Sequence, residues 1–268
     1  MGFFQSLFVR PKLIWTKRSP LQTVCIYEKG PIRYMRFASE SWQGALDTRN
    51  KERILFPYQR FFLAYRAWLP EIRSFLALGV GTGTSIRTIR HRHPDARICG
   101  VDVDSVVLQA AVTFFDCPSD ENTKLCAMHG RAFLESSRDR YDLIFLDAYD
   151  SYSIPKSMRS VECMQQARNL LEENGLLIVN VIGRISGPES GFFRSFYKTI
   201  REVFSEVWVL PVTRWTRMEQ NILLIARRSV GTQMHPDSKG DKELEKLLRR
   251  LYLRTIPTSD VPVCRDTE

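Results

Sequence analysis

"RSFLALGVGTGTSIRTIRHRH", residues 73–93, decides the fold. A continuous apolar run ends in Gly79, Gly81 and Gly83, and helical spacing takes over in "TSIRTIRHRH". A strand that is apolar at every position has no solvent face and belongs in a sheet covered on both sides. Glycine lets the chain turn sharply into the helix and brings the backbone close to a ligand with no Cβ in the way.

The same alternation continues downstream. "ARICGVDVD" reads as a second strand, followed by the helix "SVVLQAAVTFF" with Asp104 and Ser105 placed to cap it. "KLCAMHG" is a third strand and "YDLIFLD" a fourth. A long helix is expected from about Met158 to Glu172, closed by Asn174-Gly175, and "LLIVNVIG" is the fifth strand. After a helix around 190–204, "EVWVLPV" and "NILLIARR" follow one another without a helix, which implies an antiparallel hairpin at the sheet edge. The expectation is an α/β protein with a seven-stranded, Rossmann-like sheet. Upstream, "TVCIYEKGPIRYMRF" reads as a small β-hairpin around Lys29-Gly30-Pro31, and residues 53–68 look helical. Three parts are expected: an N-terminal hairpin subdomain over 1–52, the catalytic domain over 53–228, and a connector with a C-terminal helix over 229–268. Trp208 and Trp215 are expected to pack in the core.

Composition narrows the function classes. The 268 residues include 44% apolar and 26% charged side chains, ordinary for a globular protein in water. No apolar stretch approaches the roughly 18 residues of a membrane span, so no membrane partner is expected. The start "MGFFQSLF" lacks the pattern of a secretory signal, but Met1-Gly2 with Ser6 fits the short N-myristoylation pattern, which chance also supplies. Six cysteines without a C-x-x-C pair argue against a zinc site and a disulfide framework, and place the chain in a reducing, cytoplasmic compartment. The net charge of +9 is concentrated at the ends: residues 1–36 carry seven Lys or Arg against the single acid Glu28, and "KGDKELEKLLRRLYLR" adds a second basic stretch. Interleaved acids make the second stretch a solvated helix face, and nucleic acid is not the expected partner.

In an open parallel sheet, ligands bind at the carboxyl ends of strands where the strand order reverses. Gly79, Gly81 and Gly83 lie at such an end, and Asp102, 23 residues after Gly79, ends the next strand. That spacing suits an acid that takes the two hydroxyls of a ribose. Thr84 stands where the third glycine of the dinucleotide pattern would fall, which points away from NAD, and the glycine turn with the strand-end acid reads as a nucleoside site. "HGRAFL", residues 129–134, is expected to bring a further loop toward the base. "YDLIFLDAYD", residues 141–150, ends a buried strand in two carboxylates three apart, Asp147 and Asp150. They either fix a turn or aim charge at a ligand.

With these motifs together, the chain resembles the spermidine synthase family, the polyamine aminopropyltransferases, and is nearest to a divergent bacterial spermidine synthase-like branch. The carriers are "SPLQTVCIYE", "FPYQRFF", "LGVGTGTS", "VDVD", "HGRAF" and above all "YDLIFLDAYD", across most of residues 19–228. The resemblance implies the methyltransferase-like form of the seven-stranded fold. It also implies decarboxylated S-adenosylmethionine or S-adenosylmethionine as co-substrate with no metal, a small-molecule amine as acceptor, and a homodimer. Asp147 matches the family's proton acceptor, with Asp150 as its partner for the polyamine charge. Gln22, Asp102 and the His129-Gly130 position match cofactor contacts, beside the Gly79, Gly81 and Gly83 turn. Tyr58 and Gln59 match a substrate-side tyrosine and its neighbour. Three positions depart from the pattern: Thr82 stands where the glycine loop usually carries an amine-gripping aspartate, His129 replaces an aspartate, and Arg60 replaces an acid. These departures spare the fold and the nucleoside site and remove putrescine as the expected acceptor.

The chemistry fits two carboxylates. A primary amine is protonated near neutral pH; a carboxylate beside it attracts the ammonium and accepts its proton as the bond to carbon forms. The activity expected is aminopropyl transfer with Asp147 as general base. The alternatives are an S-adenosylmethionine-dependent methyltransferase on the same fold and a nucleoside-binding relative without catalysis.

Overall fold

The computed structural model describes residues 10–37, 41–150, 153–228 and 236–266. The myristoylation pattern at Met1–Ser6 and the polar connector from Ser229 to His235 lie outside the described residues.

Five strands form the parallel part of the main sheet: β5 (Ser74–Leu78), β6 (Arg97–Asp102), β7 (Thr123–Ala127), β8 (Tyr141–Leu146) and β9 (Leu171–Gly183). β10 (Glu206–Pro211) and β11 (Gln220–Arg227) complete it as the antiparallel edge hairpin, in the order β10-β11-β9-β8-β5-β6-β7. The continuously apolar strands explain the two covers. Leu76, Leu78, Ile144 and Leu146 face one core, and Phe75, Ala77, Leu143 and Phe145 face the other. On the first side lie α4 (Gly130–Ser136), α5 (Val161–Asn169) and α6 (Gly191–Arg201), contributing Leu134, Met164 and Phe196. On the second lie α1 (Pro57–Phe62), α2 (Thr84–Arg92) and α7 (Lys242–Leu248), contributing Phe62, Ile86 and Leu244.

The hairpin expected around Lys29-Gly30-Pro31 is the middle of a larger unit. β1 (Lys12–Arg18), β2 (Thr23–Lys29), β3 (Ile32–Arg36) and β4 (Trp42–Asp47) form a four-stranded antiparallel sheet. Its apolar face, with Val24, Ile26, Met35 and Leu46, packs on Val106, Val107, Ala110 and Phe115 of α3 (Ser105–Phe115).

Five local expectations change. The helix expected over 53–68 starts at Pro57, where a missing N–H costs nothing, and tightens to a 3₁₀ helix over Leu63–Ala67. The helix expected to run to Glu172 ends at Asn169, because Leu171 already pairs with Tyr141 in the sheet. Asn174-Gly175 belongs to a bulge of β9, where a Cβ on Gly175 would stand 3.0 Å from the carbonyls of Glu172 and Tyr141. "HGRAFL" is the start of helix α4, not a loop. Trp208 packs against Trp68 at 4.9 Å between ring centroids, whereas Trp215, in the turn between β10 and β11, is 70% exposed. Among the described residues no helix is long and apolar enough to cross a membrane.

Candidate active site

The strand order reverses between β5 and β8, and the chain leaves both strands at that point. After β5 the glycines adopt positive φ, at +91° for Gly79, +52° for Gly81 and +71° for Gly83. They are not equivalent. A Cβ on Gly79 would stand 2.3 Å from the carbonyl oxygen of Asp147, and one on Gly83 would stand 2.5 Å from Cys117 Sγ. Gly81 alone of the three faces open space, with Gln43 O the nearest atom at 3.8 Å. Two of the glycines therefore admit neighbouring protein atoms, and one leaves the crevice clear.

Asp102 ends β6 and closes this loop. Its Oδ2 accepts from Val80 N–H at 3.0 Å and Gly81 N–H at 3.3 Å, and its Oδ1 accepts from Asp104 N–H at 3.1 Å. Burial pushes its pKa up, and the three backbone donors oppose that shift. Each carboxylate oxygen offers two lone pairs, so Oδ1 keeps an acceptor position for a further donor. Asp104 caps α3 through Val106 N–H at 2.9 Å. Its second oxygen accepts from Ser19 Oγ at 2.7 Å and Gln22 Nε2 at 3.2 Å. Gln22 is thus bonded to Asp104, adjacent to the Asp102 turn. His129 caps α4, its Nδ1 accepting from Arg131 N–H at 3.2 Å, and a Cβ on Gly130 would meet the Met158 methyl at 2.8 Å.

Asp147 follows β8 and is anchored by its own N–H, which donates to Leu78 O at 2.8 Å. Its Oδ2 accepts from Tyr58 OH at 2.9 Å and its Oδ1 from Asn180 Nδ2 at 2.8 Å. Burial raises the Asp147 pKa, and the hydrogen bonds from Asn180 and Tyr58 pull it back. Gln59 Nε2 donates to Tyr58 OH at 3.3 Å. Tyr149 OH donates to the Asn180 carbonyl at 2.7 Å and accepts from Ile182 N–H at 3.0 Å. Burial first, and then the Asp147 charge, hold both phenols well above the usual tyrosine range. Asp150 is exposed, and its Oδ1 accepts from Ser153 N–H at 3.1 Å.

The structure thus gathers Asp147, Tyr58 and Gln59 at one strand end, with Asp150 in the adjoining turn. Asp102 and the glycine loop lie at the neighbouring strand ends. It adds Asn180, Tyr149 and Asn221, whose Nδ2 donates to Asn180 Oδ1 at 3.1 Å, none of which the motifs singled out. Asn180 carried a signal, as a lone amide in the apolar run "LLIVNVIG", where it is 2% exposed. Of the departures, Thr82 is 2% exposed, its Oγ1 lying 3.2 Å from Thr84 Oγ1 and 2.3 Å from where a Cβ on Gly44 of β4 would stand. Arg60 is exposed and donates through Nε to Ile54 O at 2.9 Å. Among the described residues no cluster of three His, Cys, Asp or Glu could hold a metal ion.

Comparison with known proteins bears on the family and the fold. The chain is 35% identical over 142 residues to a probable polyamine aminopropyl transferase of Bifidobacterium longum, covering 53% of this chain and 31% of that one. It is 26% identical over 195 residues to a polyamine aminopropyltransferase of Vibrio vulnificus, covering 69% of this chain and 65% of that one. The chain therefore spans less than two thirds of either relative. A solved probable spermidine synthase from Corynebacterium glutamicum shares the fold, with a TM-score of 0.76 at 18% identity over 95% of this chain and 97% of that one. The family description "Spermine/spermidine synthase domain" matches residues 66–217, from the helix before β5 through the turn after β10. A match over more than half of the sequence, on a sheet that brings its strand-end acids together, makes this chain a member of the spermine/spermidine synthase family.

Proposed function

We propose that the protein transfers an aminopropyl group from decarboxylated S-adenosylmethionine to a small amine, with Asp147 as general base. The observation that carries this reading is the state of Asp147: a carboxylate at the β5/β8 reversal, held by two neutral donors and lifted in pKa by burial. Such a group is a better proton acceptor than a solvated aspartate, whose pKa lies far below that of an ammonium.

The residues divide the work. Asp102 Oδ1, with its remaining lone pair, and the backbone around Gly81 would hold the nucleoside of the co-substrate. The co-substrate supplies a carbon already activated by its positive sulfur. Asp147 attracts the acceptor's ammonium and takes its proton, Tyr58 and Gln59 border the amine, and Asp150 adds negative charge at the rim. The freed nitrogen lone pair forms the new C–N bond as the C–S bond breaks, its electron pair passing to sulfur to leave a neutral thioether. Charge balances, since the positive charge lost from sulfur appears on the nitrogen of the product secondary ammonium, while the proton taken from the acceptor neutralises Asp147. The protein then contributes mainly alignment of the two partners.

The test is the nucleoside product formed with each of the two sulfonium donors across a panel of amines. Methylthioadenosine formed from the decarboxylated donor supports this reading. Adenosylhomocysteine from S-adenosylmethionine would replace it with methyl transfer, and binding without either product would replace it with a non-catalytic role.

A further inference from the structure

The donor that holds Asp147 Oδ1 is itself held. Asn180 lies in β9 at 2% exposure, so its amide has no water to turn toward. Its Nδ2 donates to Asp147 at 2.8 Å, its Oδ1 accepts from Asn221 Nδ2 at 3.1 Å, and its backbone carbonyl accepts from Tyr149 OH at 2.7 Å. The β9–β11 register places Asn180 opposite Leu223 and Ile182 opposite Asn221, which makes the two asparagines diagonal neighbours on one face of the sheet.

We infer that Asn221 and Asn180 are positioning residues: a directional amide relay from the sheet-edge hairpin that keeps Asp147 in its proton-accepting form. An amide presents NH₂ at one end and oxygen at the other, so whatever meets one end of Asn180 dictates what the other end offers. With Asn221 donating, the NH₂ end faces Asp147, which suits an ionised carboxylate because it can only accept. If residue 221 presented an acceptor, Asn180 would turn over and aim its oxygen at Asp147. That arrangement favours the protonated, inactive acid. The titratable groups facing Asp147 are Tyr58 from α1 and Tyr149 from the turn after β8, and both phenols stay neutral. Control of the carboxylate thus passes to the amides.

The inference rests on Asp147 acting as the base, but its test does not need turnover. The side-chain carboxyl of Asp147 is titrated by carbon-detected NMR in the substrate-free protein, its signal identified by its loss in Asp147→Asn. Asn221→Asp, which offers an acceptor, is expected to raise the Asp147 pKa by about one unit, the scale of a single interaction of this kind. The uncharged Asn221→Leu is expected to raise it by less. In an Asn180→Leu background the effect of Asn221→Asp should vanish, because the intermediary is gone, whereas a through-space charge effect would persist. Where product is formed, the acid limb of the pH–kcat/KM profile should move with the titration. An unshifted Asp147 in Asn221→Asp, or an equal shift with and without Asn180, overturns the relay. If Asn221→Asp does not fold, an unshifted Asp147 in Asn221→Leu overturns it equally. A normal relay in a protein that forms no methylthioadenosine would count against the aminopropyl reading alone.

Discussion

Gly79 and Asp147 are fitted to each other: the Asp147 carbonyl oxygen fills the place of a Gly79 Cβ, 2.3 Å from where that atom would stand. The glycine that follows β5 and the proposed base that follows β8 therefore share one volume. Gly79→Ala must push Asp147 aside and also hold a φ of +91° that a side chain resists. The expected cost is about 1–3 kcal/mol of stability. A lower melting temperature and a fall in kcat should appear together, by calorimetry and steady-state assay. An alanine variant with unchanged kcat would separate Gly79 from the placement of the base.

Asp147→Asn keeps the shape, its oxygen able to accept from Asn180 and its NH₂ able to donate to Tyr58, but it cannot take a proton. Turnover should fall about 10²–10⁴-fold, with co-substrate affinity by calorimetric titration little changed. Stability carries a second signature. Because burial raises the folded pKa, the folded state binds the proton more tightly than the unfolded chain does. The stability this supplies is complete below the ordinary carboxylate range and is lost as pH rises through the raised value. Neutral pH is thus where the native carboxylate costs most. Asp147→Asn should melt at or above the wild-type temperature near neutrality, and the gap should narrow on acidification. A variant that melts lower at neutral pH would show that Asp147 serves the fold first.

Asp102 has two tasks that a pair of substitutions should separate. Asp102→Ala leaves the N–H groups of Val80, Gly81 and Asp104 without their acceptor and removes the proposed ribose partner. Lost hydrogen bonds to a charged group are worth roughly 1.5–3 kcal/mol each. Both melting temperature and nucleoside affinity should drop. Asp102→Asn retains an acceptor for the loop and should recover part of the stability while binding the nucleoside less well. Unchanged nucleoside affinity in both variants would remove Asp102 from the binding site.

Restoring an acid in the glycine loop should fail. Thr82 is buried against Gly44, so Thr82→Asp puts a carboxylate where Thr84 Oγ1 is the only hydrogen-bond partner of the Thr82 side chain among the described residues, the neighbouring Arg87 guanidinium being already engaged by the Thr82 and Phe115 carbonyls and Thr84 Oγ1. Burying a poorly paired charge is costly, and destabilisation of several kcal/mol is of the expected order. A lower denaturation midpoint without tighter amine binding is the expected result. A gain in diamine affinity at constant stability would mean that residue 82 reaches the crevice.

What the sequence disclosed follows from the range of each signal. The glycine turn, the strand-end acids and the apolar strands are local patterns, and "LGVGTGTS", "VDVD" and "YDLIFLDAYD" all lie at the strand ends that border the candidate site. Asn174-Gly175 misled because the same dipeptide suits a helix end and a strand bulge. The choice was made by Leu171 pairing with Tyr141, 30 positions away in the chain. Tyr149 and Asn221 were hidden for the same reason. Their roles come from the β9–β11 register and from a turn folding back over β9, neither of which is written in the residues nearby.

Ser19 and Gln22 from the N-terminal sheet bind Asp104, and Gly44 of that sheet walls in Thr82. The loop that Asp102 organises is therefore complete only in molecules whose N-terminal sheet is docked on α3. If this loop holds the proposed nucleoside, the observed affinity should equal the intrinsic affinity multiplied by the docked fraction. Any agent that loosens the sheet's grip on Val106 and Phe115 should then weaken that proposed binding, and by reciprocity a bound nucleoside should slow amide hydrogen exchange in β2, β3 and β4.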